Sequence, residues 1–161
     1  MKRILLVLVL VLGGCSRSRP AAPPTPTPVP LSPTELLNHA DQARELGQVD
    51  QAASDYQQLI LEYPQAPEAR MARFGLAYSA YLRADWAAAQ SQLAAFTDEN
   101  VNDALQGRAL FLLARLAENS GNHQGAIDAY LRYEATAGPL TGYAAIRRAA
   151  QLAVLGRADE A

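Results

Sequence analysis

Few side chains in this sequence are able to do covalent or metal chemistry. Cys15 is its only cysteine, and His39 and His123 are its only histidines. No histidine, cysteine and acidic residues cluster with metal-ligand spacing, no glycine-rich loop predicts phosphate binding, and no serine stands in the glycine-framed turn of a hydrolase nucleophile. The sequence therefore predicts no catalytic residue, no metal and no cofactor, and we expect both histidines to pack between helices.

Cys15 follows a segment that is typical of exported proteins. Lys2 and Arg3 precede an apolar run over residues 4–12, and Gly13 and Gly14 come next. This order is that of an export signal. An apolar run of this length spans only about 14 Å as a helix, against roughly 30 Å for the core of a bilayer. A transmembrane anchor is therefore the weaker interpretation.

The Leu-Gly-Gly-Cys order at residues 12–15 resembles the lipobox of bacterial lipoproteins. The resemblance implies a lipoprotein signal peptide over residues 1–14 and a lipidated Cys15 that attaches the mature chain to membrane lipid. An ordinary secretory signal with a chance cysteine is the alternative. Ser16 follows the cysteine, where an aspartate retains some lipoproteins at the inner membrane. The resemblance thus implies a cell-envelope protein anchored to a membrane, the outer one where it exists, and facing the periplasm or the exterior.

A proline-rich segment separates this anchor from the rest of the chain. Seven of the ten prolines lie between Pro20 and Pro33. Proline lacks the amide donor that helices and sheets need, so the segment favours an extended polyproline form. Residues 16–33 would then reach about 55 Å, at roughly 3.1 Å per residue. We predict a tether over residues 15–33, with recruitment of aromatic grooves as a less common alternative role.

The remaining residues repeat at an interval of 37. Alanine is the commonest residue, apolar side chains recur at helical spacing, and no segment alternates in the manner of a strand. The turn residues recur at the same interval, at Gly47, Ala84 and Gly121. The repeated apolar columns are Ala40, Ala77 and Ala114; Ala43, Ala80 and Ala117; Ala52, Ala89 and Ala126; Tyr56, Leu93 and Tyr130; and Leu59, Phe96 and Tyr133. We interpret each copy as a helical hairpin that must stack on its neighbours to bury its apolar face.

The order of residue types in the repeat resembles the tetratricopeptide repeat, a family with roughly 34 residues per unit. This order is a small residue, a turn glycine, an alanine and an aromatic residue, followed by Tyr63-Pro64. The resemblance implies an all-α, right-handed solenoid of tetratricopeptide-like hairpins, three complete plus a truncated fourth, over residues 34–161. The closing proline occurs only in the first copy, and Ala84 replaces the turn glycine in the second. Sel1-type or looser helical repeats remain the alternative.

A fourth copy begins near Gly142, and its columns place Gly156 at the turn and Ala161 at the start of a second helix. A solenoid normally ends in a capping element with a polar exterior. We therefore expect Ala161 to be a truncation point in a longer parent protein. The alternative is a natural terminus that frays.

The inner face of the solenoid is the predicted binding surface, because the repeat family exposes its first helices there. It mixes aromatic rings and arginines, which suits contacts to peptides or glycans. The alternative for Phe74 and Phe111 is that they only pack between hairpins. The predicted face comprises Asn38, Asp41 and Arg44; Phe74, Tyr78 and Tyr81; Arg108, Phe111, Arg115 and Glu118; and Tyr143 and Arg147.

Two functions follow from these resemblances. The formal net charge of −2 and the absence of a basic stripe argue against nucleic acid as a partner. The partner would be an envelope protein or peptidoglycan. The lipobox, the tether and the Ala-Gly-Pro-Leu turn at 137–140 resemble the N-terminal arm of a peptidoglycan lytic transglycosylase, whose catalytic domain would follow Ala161. The alternative is a non-catalytic adaptor in outer-membrane protein assembly, which the repeats after a lipobox also resemble.

Overall fold

The computed structural model describes residues 30–99, 101 and 103–161, so the predicted signal peptide, Cys15 and most of the predicted tether lie outside the described residues. The described part is all helical, with no strand, which confirms the predicted fold class. The helices are α1 (Pro33–Glu45), α2 (Val49–Glu62), α3 (Pro67–Leu82), α4 (Trp86–Asp98), α5 (Ala104–Asn119), α6 (His123–Glu134) and α7 (Thr141–Val154), and a 3₁₀ turn covers Ala158–Glu160.

Helix α1 begins one residue earlier than the predicted domain boundary, and its local sequence explains why. The Ser32 side chain accepts a hydrogen bond from the Glu35 amide, and the Glu35 carboxylate accepts from the Ser32 amide. Together these form a capping box. Pro33 occupies the first helical position, where a missing amide donor costs nothing. The last proline of the predicted tether is thus part of the helix.

Three apolar clusters hold the helices together, and each joins one hairpin to the first helix of the next. All five repeated columns lie inside them, with every member at most 4 % exposed. Alanine in the middle of each first helix lets the second helix approach closely. A single hairpin therefore lacks a complete core, and the stack of hairpins predicted from the 37-residue interval is what buries the apolar faces.

The predicted turns between paired helices adopt one conformation. Gly47, Gly121 and Gly156 have φ of 76°, 74° and 71°. Ala84 occupies the equivalent turn with φ 58°. This left-handed backbone is free of strain for glycine and costs an alanine roughly 1–2 kcal/mol. The second hairpin therefore carries a strained turn that its neighbours lack.

Replacing Ala84 with glycine is expected to raise the free energy of unfolding by about 1 kcal/mol, because the relief of left-handed strain exceeds the added freedom of the unfolded chain. Urea unfolding followed by circular dichroism measures the change. The matched control is Gly121→Ala, which should lose a similar amount, since no atom lies within 4 Å of a Cβ built at Gly121 and only the backbone is affected. A lower midpoint for Ala84→Gly would contradict this account of the turn.

None of the helices in the described part of the chain is both long and apolar enough to cross a membrane.

Candidate functional site

A row of aromatic rings runs along helix α3. Phe74 and Tyr78 have ring centroids 6.2 Å apart with an interplanar angle of 5°, and Tyr78 and Tyr81 are 5.9 Å apart at 8°. Spacings of four and three residues place the three side chains on one face of the helix. Trp86, the first residue of α4, packs against Tyr81 in a T-shaped arrangement, with ring centroids 5.4 Å apart. The structure thus brings together the three residues of α3 that the sequence assigned to the inner face.

Arginines from the two flanking first helices reach over these rings. The Arg44 guanidinium lies 5.9 Å from the centroid of Tyr78, and the Arg108 guanidinium lies 4.9 Å from that of Phe74. Both distances allow attraction between the cation and the π face. Helices α1, α3 and α5 therefore share one surface of aromatic rings and guanidinium groups.

A groove opens on this surface between α3, α5 and the connection from α6 to α7. Its cavity volume is about 790 Å³, in the size range of ligand pockets, and most of its lining is apolar. We call it the inner groove. Its lining residues are Phe74, Tyr78, Asp103, Ala104, Gly107, Arg108, Phe111, Leu112, Tyr133, Thr136, Gly138, Pro139 and Leu140.

The sequence leaves two interpretations of Phe74 and Phe111, which are a place on the binding face and packing between hairpins alone. Phe74 is only 7 % exposed and tilts against Phe96 of α4 at 5.8 Å. Phe111 makes aromatic contacts with Tyr130, Tyr133 and Tyr143. The two phenylalanines pack between hairpins, and their accessible edges also line the inner groove.

Sequence reasoning missed the wall that the α6–α7 connection contributes. Leu140 donates its amide to the Tyr133 hydroxyl at 3.1 Å, and a Cβ at Gly138 would lie 2.6 Å from the same oxygen. Ala137 turns the chain with φ 50°. The Gly-Pro pair at 138–139 signals a turn, but nothing local in the sequence shows that the turn folds over α5.

Several predicted face residues lie outside the inner groove and bind one another instead. Tyr56, buried on α2, donates its hydroxyl to Asp41 at 2.5 Å and accepts from Arg44 at 3.1 Å. Arg44 also pairs with Asp41 at 3.1 Å. Burial, reinforced by the hydrogen bond to Asp41, raises the pKa of Tyr56 to about 12. Asn38 is exposed on the same helix.

Glu118 is the centre of a second polar cluster, which joins α5, α6 and α7. Its side chain is 10 % exposed, and its carboxylate pairs with both Arg115 and Arg147. It also accepts from the Tyr130 hydroxyl at 2.9 Å and from the Gln151 amide at 2.9 Å. Burial, then the bond to Glu118, raises the pKa of Tyr130 to about 12. We call these five side chains the Glu118 cluster. Tyr143 joins its edge, 3.4 Å from Arg115.

The two buried tyrosines are expected to ionise well above pH 10 when the protein is titrated with alkali. A folded-state pKa of about 12 stands above the ordinary value near 10. The protonated forms therefore stabilise the fold below pH 10, and this contribution disappears as the pH rises from 10 through 12. Phenolate absorbance should show a late step that shrinks in Tyr56→Phe and in Tyr130→Phe. Identical curves for both variants and the wild type would contradict this assignment.

One corner of the inner groove is built by an ion-pair cluster around Arg70 of α3. Arg70 binds Asp103 at 2.8 Å and Glu99 at 2.5 Å, and its guanidinium lies 4.1 Å from the centroid of Phe96. Asp103 also caps α5 by accepting from the Gln106 amide. The Arg70 guanidinium, with the Gln106 amide, holds the pKa of Asp103 below its usual range. This carboxylate therefore already has its binding partners, and it holds α5 against α3.

Both histidines contact a neighbouring helix. His39 Nδ1 lies 2.7 Å from the carboxylate of buried Asp55 on α2, and His123 Nδ1 lies 2.7 Å from Gln151 on α7. Within the described residues, no group of three or more histidine, cysteine or acidic side chains is placed to hold a metal ion.

A comparison with models of protein families matches most of the chain. The family model described as YfiO: Outer membrane lipoprotein matches residues 30–152, which is most of the chain and spans all three hairpins. No curated protein matches the chain.

Proposed function

Because the chain belongs to the YfiO family of outer membrane lipoproteins, we propose that it is a lipid-anchored, non-catalytic scaffold that holds a partner protein during outer-membrane protein assembly. The family match carries this proposal, since it covers the helices that form the inner groove. An apolar groove with a few polar groups at its edge has the composition of a surface that binds another molecule.

The same match supports the adaptor hypothesis better than the lytic transglycosylase hypothesis. The transglycosylase hypothesis stays a prediction that the family match does not support. Peptidoglycan binding by the repeats is likewise a prediction that the family match does not support. A helical solenoid in either protein would present its first helices to a partner.

The proposed anchor is Cys15, through the resemblance of residues 12–15 to a lipobox. The variant Cys15→Ser is expected to lose incorporation of an alkyne-tagged fatty acid and to leave the membrane fraction, because two or more acyl chains are what hold a lipoprotein durably. Cell fractionation with a Ser16→Ala control separates a specific loss from a general defect. Full membrane retention of Cys15→Ser would contradict lipid anchoring at this residue.

The assembly role is tested in the native bacterium by depleting the protein and measuring folded, heat-modifiable outer-membrane proteins. We expect their amount to fall while peptidoglycan turnover products stay constant. Re-expression of the wild type should restore them. The reverse pattern, with altered turnover products and normal outer-membrane proteins, would favour the transglycosylase arm and overturn the scaffold proposal.

A further inference from the structure

Arg108 differs from the other arginines in the described part of the chain. Each of the others forms an ion pair with a carboxylate, whereas Arg108 forms none. Its side chain is exposed at the edge of the inner groove, where the guanidinium lies over the ring of Phe74. The other charged residue of the lining, Asp103, is bound to Arg70. The inner groove therefore presents one uncompensated positive charge.

Gly107, the residue before Arg108, also lines the inner groove, and packing does not account for it. A Cβ built there would lie 3.5 Å from Thr136 Oγ1 and 3.7 Å from Tyr133, which are ordinary contacts. Gly75 of α3 is different, because a Cβ there would lie 2.4 Å from the Tyr56 ring. Glycine within a helix is unfavourable relative to alanine. A helical glycine that the fold does not require leaves room for a ligand to approach the backbone.

We infer that the inner groove binds a peptide segment of a partner protein in which an acidic residue adjoins a large apolar side chain. The carboxylate pairs with Arg108, and the apolar side chain enters the space beside Gly107 and Phe111. This inference rests on the proposed function and specifies the chemistry of its partner. An arginine carried by an aromatic ring beside an apolar pocket is the composition of an energetic hot spot in protein interfaces.

The probe is a fluorescent ten-residue peptide, capped at both ends, with Asp-Phe at the centre of glycine and serine residues. Versions with Asn-Phe and Asp-Ala test the charge and the apolar group. Fluorescence anisotropy with the full-length lipoprotein in detergent gives the affinities. We expect the Asp-Phe peptide to bind at least fivefold more tightly than either version. Arg108→Gln should make the Asp-Phe and Asn-Phe affinities equal.

Gly107→Ala tests the apolar part of the site without endangering the fold. It should weaken binding of the Asp-Phe peptide at least fivefold and leave Tm unchanged or raised. The control Gly142→Ala lies at the equivalent position of α7, outside the inner groove, with no atom within 4 Å of the added carbon. It should leave the affinity unchanged.

Three results would overturn the inference. They are no binding of the Asp-Phe peptide, equal binding of the Asp-Phe and Asn-Phe peptides by the wild type, and binding of a proline-rich peptide or a soluble peptidoglycan fragment that exceeds that of Asp-Phe. None of them affects fatty-acid labelling of Cys15 or the amount of folded outer-membrane protein. Failure of this inference is therefore distinguishable from failure of the proposed function.

Discussion

Replacing Gly75 with alanine is expected to lower the free energy of unfolding by about 3 kcal/mol, although alanine is the better helix former. The added carbon would lie 2.4 Å from Cζ of Tyr56, and Tyr56 is completely buried. The ring does not move aside at low cost, because Asp41 and Arg44 also hold its hydroxyl group. Urea unfolding followed by circular dichroism measures the loss.

The repeat itself supplies the rescue variant. In the second hairpin, Leu93 takes the column of Tyr56, and Leu112 of the next first helix takes the column of Gly75. Both leucines belong to one apolar cluster. A large ring therefore faces a glycine in one copy, while two leucines share the space in the next. We expect Gly75→Ala to cost almost nothing in a Tyr56→Leu background.

Two outcomes would contradict this account of the Gly75 contact. Additive losses in the double variant would show that the Tyr56 ring is not what excludes the added carbon. A loss of stability in Gly142→Ala, where no atom lies within 4 Å of the new carbon, would point to a general effect of alanine substitution.

The fold followed from the sequence because its determinants are local and repeated. Ala40, Ala77 and Ala114 are all completely buried, and Gly47 and Gly121 adopt the left-handed turn that their position predicts. A residue that recurs at a fixed interval is seen several times in one sequence, so its structural role is supported more than once. The strained turn at Ala84 was foreseeable for the same reason, since the equivalent turns of the other two hairpins have Gly47 and Gly121.

The inner groove was only half predictable. Phe74, Tyr78, Arg108 and Phe111 lie on first helices, and helical spacing alone assigns them to one face. The opposite wall depends on where the α6–α7 connection comes to rest. The sequence of that connection is not repeated between the other hairpins, and the Tyr133 hydroxyl that binds it lies on α6. A position set by long-range contacts leaves no periodic signal in the sequence.

Charged residues show a second limit of sequence reasoning. Asp41, Arg44 and Glu118 lie on the predicted face, but their partners Tyr56 and Tyr130 come from second helices. The sequence shows that a charge is on a face and does not show whether another helix neutralises it. Only the packed structure reveals that Arg108 keeps its charge uncompensated by any described carboxylate.

Replacing Glu118 with alanine is expected to lower the free energy of unfolding by about 2 kcal/mol and to loosen α7. Removing one member of a buried ion pair costs roughly 3–5 kcal/mol because its partners lose their compensation. We expect less here, since the Arg115 and Arg147 side chains are each 34 % exposed and solvent screens them. The Tyr130 hydroxyl and the Gln151 amide lose an acceptor as well. Urea unfolding gives the total loss.

Hydrogen exchange shows where the stability is lost. Three of the four partners of Glu118 lie on α6 and α7, so amides of α7 should exchange faster while those of α1 and α2 stay protected. Glu118→Gln keeps an acceptor and removes the charge, so it should lose about half as much stability. Asp50→Ala breaks an ion pair in which Asp50 is 90 % exposed, and it should cost about 0.3 kcal/mol or less. Equal losses in Glu118→Ala and Asp50→Ala would show that the Glu118 cluster does not hold α7 against the third hairpin.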